Sequence, residues 1–354
     1  MPNSEQPTTT AMGFSHQGKR KEEQKTPMEE MQVAAELDTT RFRISLSKQV
    51  VQKSQPLRAK YHVEKYDLLQ GYVFPENVRS LIPTNTPEYV DRGFNYVERI
   101  TRALYYFKQC ALIGPSGTGK THIVYLVAEL AGLPIWEVNC GLQTSSYDLF
   151  GRYIGLGKEN WVDGQIVTWC KVGGILYLDE ANMMKQDVAT RLNPILDTRG
   201  HIVLTEKDNE IVNRHRCGYL IIPMNPFSAE FVGTKPLNAA LRRRMSVWIN
   251  FDYLSLGDVI SPDEVALVKK RANVDEDVAR KIVQVGAELR RQYKNGDLPY
   301  GPSPGDLINW AVLVADGTTP LNAANETIVG TTSDDTEIQE IVRRIVKAVF
   351  NVKG

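Results

Sequence analysis

The stretch that decides the fold is CALIGPSGTGKTHIVYLVAELA, residues 110–131. Its first residues, through Ile113, are an apolar run of strand type, and Gly114–Thr121 then match the pattern G-x-x-x-x-G-K-[ST]. From Lys120 the spacing predicts a helix to Ala131. Gly114, Gly117 and Gly119 let the backbone turn tightly enough for its N–H groups to face one point, where the helix N-terminus favours an anion. A loop of this kind holds the phosphates of a nucleoside triphosphate. Lys120 reaches the β- and γ-phosphates, and the Thr121 hydroxyl ligates Mg²⁺. The alternative is a chance glycine-rich turn, but the strand before it and the helix after it supply the context the motif requires. The predicted cofactor-binding residues here are Gly114, Pro115, Ser116, Gly117, Thr118, Gly119, Lys120, Thr121 and His122.

About 60 residues further on, GGILYLDE (173–180) delivers two carboxylates at the end of a second apolar run. Ligands of open α/β sheets bind at the carboxyl ends of the strands. Asp179 can hold Mg²⁺ through water, and Glu180 is placed to polarise water against a γ-phosphate. Alone, such a pair equally caps a following helix.

Further apolar runs, PIWEVNC (134–140), GYLIIPMN (218–225) and VWINFDY (247–253), alternate with predicted helices, one starting near Asp187. This predicts an α/β fold with a central parallel sheet covered by helices on both faces. After Leu254 helices take over. They are expected from Ser261-Pro262, where Ser suits an N-cap and Pro the first turn, then over Asp275–Tyr293, Pro304–Ala315 and Glu337–Phe350. In the last, Ile338, Ile341, Val342, Ile345, Val346, Val349 and Phe350 share one apolar face, suited to packing within the chain or against a partner. The expected division is a flexible polar tail (1–40), an N-terminal extension whose fold is not legible (41–86), the α/β nucleotide-binding domain (87–254) and a helical domain (255–354).

Composition narrows the classes. A chain of 354 residues with 42% hydrophobic and 24% charged residues is of soluble globular type and long enough to bury a core. No run of 18 apolar residues suggests a membrane span, and the polar first 25 residues do not read as an export signal, so a cytoplasmic location is expected. With 42 basic against 42 acidic residues, global charge does not indicate a nucleic-acid partner. Cys110, Cys140, Cys170 and Cys217 lack CxxC spacing and read as buried reduced thiols. The five histidines show no ligand spacing.

Taken together, EYV (88–90), GPSGTGKT, LFGRYIG (149–155), WVDGQIV (161–167), GGILYLDEAN (173–182), LNPILDTRG (192–200), IIPMNP (221–226), LNAALRRRM (237–245) and FDYL (251–254) resemble MoxR-type AAA+ ATPases. Within that branch they are similar to the CbbQ/NorQ/GvpN group, with its dynein-related AAA+ domain. The resemblance implies ATP hydrolysis with Mg²⁺ in a homo-oligomeric, hexameric ring. It also implies a chaperone-like action on a client protein, often with a von Willebrand factor A domain partner. It adds Tyr89 and Val90 to the ATP contacts and gives Asn225 the sensor-1 place, where an amide holds the attacking water. Without it, Asn225 reads as a turn residue before Pro226.

Arg242–Arg244 fall where this family keeps its arginine finger; Arg244 aligns best and Arg243 is the neighbouring candidate, a solvated helix end being the alternative. The segment 197–213 reads as a β-hairpin, resembling one that faces the ring pore. The loop 151–164 carries Tyr153 and Trp161, suited to gripping a partner or to local packing. One position departs from the pattern: Gly305 stands where relatives place a sensor-2 arginine, leaving Arg290 or Arg291 as substitutes. Two other functions compete with the motor: a nucleotide-dependent structural switch with little turnover, and a nucleic-acid-associated AAA+ motor.

Overall fold

The structure, a computed structural model, describes residues 55–90, 93–141, 143–155, 157, 160–197, 199–225 and 237–351. The tail expected over 1–40 lies outside the described residues, as do 41–54 of the extension.

The chain runs through α1 (Tyr96–Phe107), β1 (Gln109–Ile113), α2 (Lys120–Ala131) and β2 (Ile135–Asn139) to a small hairpin of β3 (Gly151–Tyr153) and β4 (Trp161–Asp163). It continues through α3 (Gln165–Val172), β5 (Gly174–Asp179), α4 (Gln186–Arg191), a second hairpin of β6 (His201–Leu204) and β7 (Glu210–Asn213), β8 (Gly218–Met224), α5 (Ala239–Arg244) and β9 (Trp248–Asn250). Five strands form a sheet of order β2-β5-β8-β1-β9 in which every pairing is parallel. All seven residues of β8 are buried, as the centre of a sheet covered on both faces demands. Side chains alternate between two cores. On β5, Ile175 and Tyr177 join the cluster beneath α1 and α2. Leu176 and Leu178 join the opposite one, with Trp169 of α3 and Val188 of α4. β9 covers only 248–250 of the predicted 247–253, because its neighbour β1 pairs with those residues alone.

The extension is ordered from residue 55 and packs on the first core through Tyr61, Val63, Tyr66, Leu68 and Phe74. Arg58 fastens it: its guanidinium is buried and donates to the carbonyls of Leu130 at 2.7 Å, at the end of α2, and of Val63 and Tyr66, both at 3.4 Å. Carbonyl partners satisfy the polar atoms that burial strips of water.

A helical region follows, with α6 (Pro262–Ala272), α7 (Glu276–Asn295), α8 (Pro304–Ala315) and α9 (Thr336–Phe350) around a third core. Ser261 occupies the N-cap position of α6 without a side-chain cap. Its N–H donates to the Ser255 hydroxyl at 2.9 Å, and its own hydroxyl has no partner. Ser303 and Asp306 form a reciprocal capping box on α8. Val342 and Val346 are fully buried and Ile338, Ile345, Val349 and Phe350 pack beside them, so the apolar face of α9 packs within the chain except at Ile341, which is exposed. Helical turns at Pro320–Ala324, Asn325–Val329 and Gly330–Thr332, not anticipated from the sequence, join α8 to α9. No helix among the described residues is long and apolar enough to cross a membrane.

The helical region has its own electrostatic bolt. Arg290 and Glu264, both fully buried, pair through two hydrogen bonds of 2.9 and 3.0 Å. Arg290 also donates to Pro302 O at 2.7 Å and Ser255 O at 3.1 Å. Breaking one side of such a pair strands a charge in the core, at a cost of about 3–5 kcal/mol. Glu264→Ala is therefore expected to lower the unfolding free energy of this region by about that amount in urea titration; a loss below about 1 kcal/mol would contradict the assignment.

Candidate nucleotide site

Parallel order brings the carboxyl ends of β1, β5 and β8 side by side, with Ile113 opposite Met224 and Tyr177 opposite Ile221. The Gly114 N–H donates to Met224 O at 3.2 Å, closing the loop onto β8. Here a cavity of about 640 Å³ opens, lined by Ser116–Gly117, Gly119–His122, Tyr177, Asp179, Glu180, Asn225, Ser303 and Gly305, among others. The phosphate loop, the carboxylate pair and the strand-end amide thus face one space.

Two loop glycines are needed for more than flexibility. Gly117 has φ +73°, and a Cβ there would collide with the Cβ of Ser303. Gly119 has φ +84°, and a Cβ would lie 2.8 Å from Cε2 of Tyr89. The loop is therefore packed between the helical region and the segment before α1. Thr118 Oγ1 tightens it by donating to Pro115 O at 2.9 Å.

Lys120 points inward. Its Nζ donates to Gly114 O at 2.7 Å, Pro115 O at 2.8 Å and Asn225 Oδ1 at 3.3 Å. Burial lowers its pKa to about 8, against the opposing pull of Asp179. Below pH 8 the ammonium is charged whether or not an anion is bound. Above it, the free protein loses a proton that a bound triphosphate would restore. The affinity for ATP is expected to be flat up to about pH 8 and to fall by up to about tenfold per pH unit beyond. Calorimetric titration between pH 6.5 and 9.5 checks this; affinity rising above pH 8 would contradict it.

The Thr121 hydroxyl lies 2.8 Å from that of Tyr177, a β5 residue that the sequence reading did not single out. Tyr177 was legible only as one more apolar position of a buried strand. Asp179 is half-buried and its Oδ1 accepts the Glu180 N–H at 3.0 Å. Glu180 sits in the left-handed region, φ 50° and ψ 37°. Its side chain makes no cap bond to the following turn, so the capping alternative does not describe it. The hydroxyl of Thr121 and the carboxylate of Asp179 are hard oxygen donors lining one cavity, the chemistry that suits Mg²⁺.

A second, apolar cavity of about 400 Å³ adjoins the loop. Tyr89, Val90 and Tyr96 wall it on one side, and Tyr253, Leu254, Leu267 and Ile308 on the other. Gly117, Gly119 and His122 line both cavities. Of the two proposed sensor-2 substitutes, neither is free. Arg290 is locked to Glu264, and Arg291 pairs with Glu288 at 2.6 Å. Arg271, at the end of α6, is the arginine of the helical region that lines this cavity. Gly305 leaves the inner cavity to the backbone of the α8 start.

The three consecutive arginines on α5 diverge. Arg242 stacks over Trp248, 4.9 Å from the ring centre. Arg244 is turned back on its own chain, donating to Ala240 O at 3.0 Å with Nε 3.7 Å from Asp197. Arg243 is exposed and makes no hydrogen bond or ion pair with the described residues. Within 151–164, β3 and β4 pair antiparallel. Trp161 packs locally there, its Nε1 donating to Asp163 at 2.8 Å and its ring edge-on to Tyr153. Ile154, Val162 and Tyr147 remain exposed. All four cysteines are buried and free.

A phosphate loop between β1 and its helix, in a parallel sheet followed by a helical region, marks an AAA-type nucleotide-binding protein. Residues 109–245 match the AAA domain of the dynein-related subfamily, and residues 264–349 the CbbQ/NirQ/NorQ C-terminal domain. The chain belongs to the CbbQ/NirQ/NorQ family of MoxR-type AAA+ ATPases. It is 30% identical to protein CbbQ of Hydrogenophilus thermoluteolus, over 68% of this chain and 86% of that one. It is 31% identical to the denitrification regulatory protein NirQ of Pseudomonas aeruginosa, over 71% of this chain and 92% of that one. Protein NorQ of Paracoccus denitrificans is 29% identical, over 68% and 85%.

Proposed function

We propose that this protein hydrolyses ATP with Mg²⁺ in a ring of its own copies, hexameric as in its resemblance, and uses the cycle to remodel or activate a client protein. The observation that carries the reading is Glu180: a carboxylate uncommitted to capping that lines the same cavity as Lys120, Asp179 and Asn225. Lys120 leaves the loop carbonyls for the β- and γ-phosphates, and the adenine lies against Tyr89 and Val90. Thr121 and Asp179 hold Mg²⁺, which neutralises phosphate charge when bound. The Asn225 amide orients the water, Glu180 takes its proton as the water oxygen bonds to the γ-phosphorus, and ADP leaves.

Arg243 supplies the finger from a neighbouring copy, since Arg244 is engaged within its own chain. The exposed Ile154, Val162 and Tyr147 around the first hairpin form a surface for the client, with a von Willebrand factor A domain partner alongside. A cytoplasmic setting suits a reduced-thiol protein of this kind. The regulatory role in the name of the Pseudomonas relative supports an activator. A switch with little turnover is favoured by one observation, the burial of Arg290 away from the cavity.

The test is complementation. Arg243→Ala and Glu180→Gln should each be inactive alone. Mixed in equal amounts and reassembled, they should recover roughly a quarter of wild-type phosphate release, the share of sites pairing an intact glutamate with an intact neighbouring arginine. No recovery, with both variants assembling, would contradict a shared site.

A further inference from the structure

We infer that the N-terminal extension is a working part of the nucleotide site, with Tyr61 acting as a positioning residue for Tyr89. The inference rests on the nucleotide reading above and goes beyond it, because the extension lies outside both matched family regions.

Tyr61 is buried with the extension against the first core. Its hydroxyl donates to the Tyr89 carbonyl at 3.2 Å and accepts the Tyr89 N–H at 3.1 Å, so one phenol holds both backbone groups of that residue. At the other end, the Tyr89 hydroxyl donates to Thr118 O at 2.9 Å, inside the phosphate loop. The Tyr89 ring between them lines the apolar cavity, lies over His122 with ring centres 6.1 Å apart, and fills the space that a Cβ on Gly119 would need.

The approach to Tyr89 is clamped as well. Glu129 of α2 accepts the N–H groups of Asn85 and Thr86 at 2.9 and 2.7 Å, and His122 Nε2 lies 2.9 Å from Pro87 O. Lys60 of the extension pairs with Glu88. A ring held at backbone and phenol is a preorganised wall for a flat base, and preorganisation raises affinity by removing ordering costs at binding. Tyr61 therefore contributes to holding the base without touching it.

Tyr61→Phe keeps the ring and its packing and removes only the hydroxyl. Dissociation constants for ATP and for inorganic tripolyphosphate, which lacks a base, are measured by calorimetry on wild type, Tyr61→Phe, Tyr89→Phe and the double variant. The expected result is an ATP constant raised about three- to tenfold in Tyr61→Phe, the range one net hydrogen bond carries. Tripolyphosphate binding should not change. The double variant should bind ATP no more weakly than the weaker single variant, because both changes loosen the same ring. Unchanged ATP affinity, equal weakening of both ligands, or fully additive losses would each overturn the positioning role. Failure of the wild type to bind ATP would overturn the nucleotide reading itself, and the inference with it.

Discussion

Lys120→Ala is expected to weaken ATP binding by about two orders of magnitude or more and to abolish phosphate release. The side chain is buried at the loop and spends its three donors on Gly114 O, Pro115 O and Asn225 Oδ1. With a triphosphate present those donors turn to anionic oxygens. A charge-assisted hydrogen bond contributes about 1.5–3 kcal/mol, so two of them account for about 3–6 kcal/mol, or at least a hundredfold in affinity. Alanine cannot satisfy the loop carbonyls of Gly114 and Pro115 either. Calorimetry on the variant checks the prediction, and retention of affinity within tenfold of wild type would contradict it.

Glu180→Gln is expected to separate binding from chemistry. The amide keeps the size and reach of the carboxylate but takes no proton from water, and a positioned general base is worth about 10²–10⁴ in rate. Turnover should fall by about that factor while ATP affinity stays within about threefold, since the substitution keeps the side chain's size and leaves the phosphate loop unchanged. Single-turnover hydrolysis and equilibrium binding on the same preparation distinguish the two. A variant as fast as wild type would remove Glu180 from the chemistry.

The core of this fold was legible because the sheet is buried on both faces. Runs such as Ile175–Leu178 and Tyr219–Ile222 are continuous in apolar character, and no amphipathic reading competes with them. The limits of α2 match the Lys120–Ala131 that the spacing predicts, and in the structure the left-handed Gly119 and Gly132 flank it. Strand-end logic brings Gly114–Thr121, Asp179 and Glu180 to one place; Asn225 joins them only through the family resemblance.

What stayed hidden depends on partners distant in sequence. Arg58 finds its carbonyl 72 residues away, so the packing of the extension had no local signature. Arg290 read as a spare cation near the phosphates. Its partner Glu264 lies 26 residues earlier, and helical periodicity does not say which buried polar residues meet. Consecutive arginines on a helix point about 100° apart, and only the tertiary neighbours Trp248 and Asp197 tell Arg242 and Arg244 from Arg243. Tyr61 was visible as an aromatic in an unreadable segment. The role inferred for it rests on a hydroxyl that bonds both the N–H and the carbonyl of residue 89.

The central claim is that this chain turns over ATP at a site completed by a second copy. Steady-state phosphate release by the wild type, measured with and without Mg²⁺ across a hundredfold range of protein concentration, tests it most directly. The account predicts Mg²⁺-dependent release whose rate per chain climbs with concentration to a plateau as copies assemble. Release that is absent at every concentration, or a rate per chain that never changes in a preparation shown to pass from monomer to assembly, would contradict it.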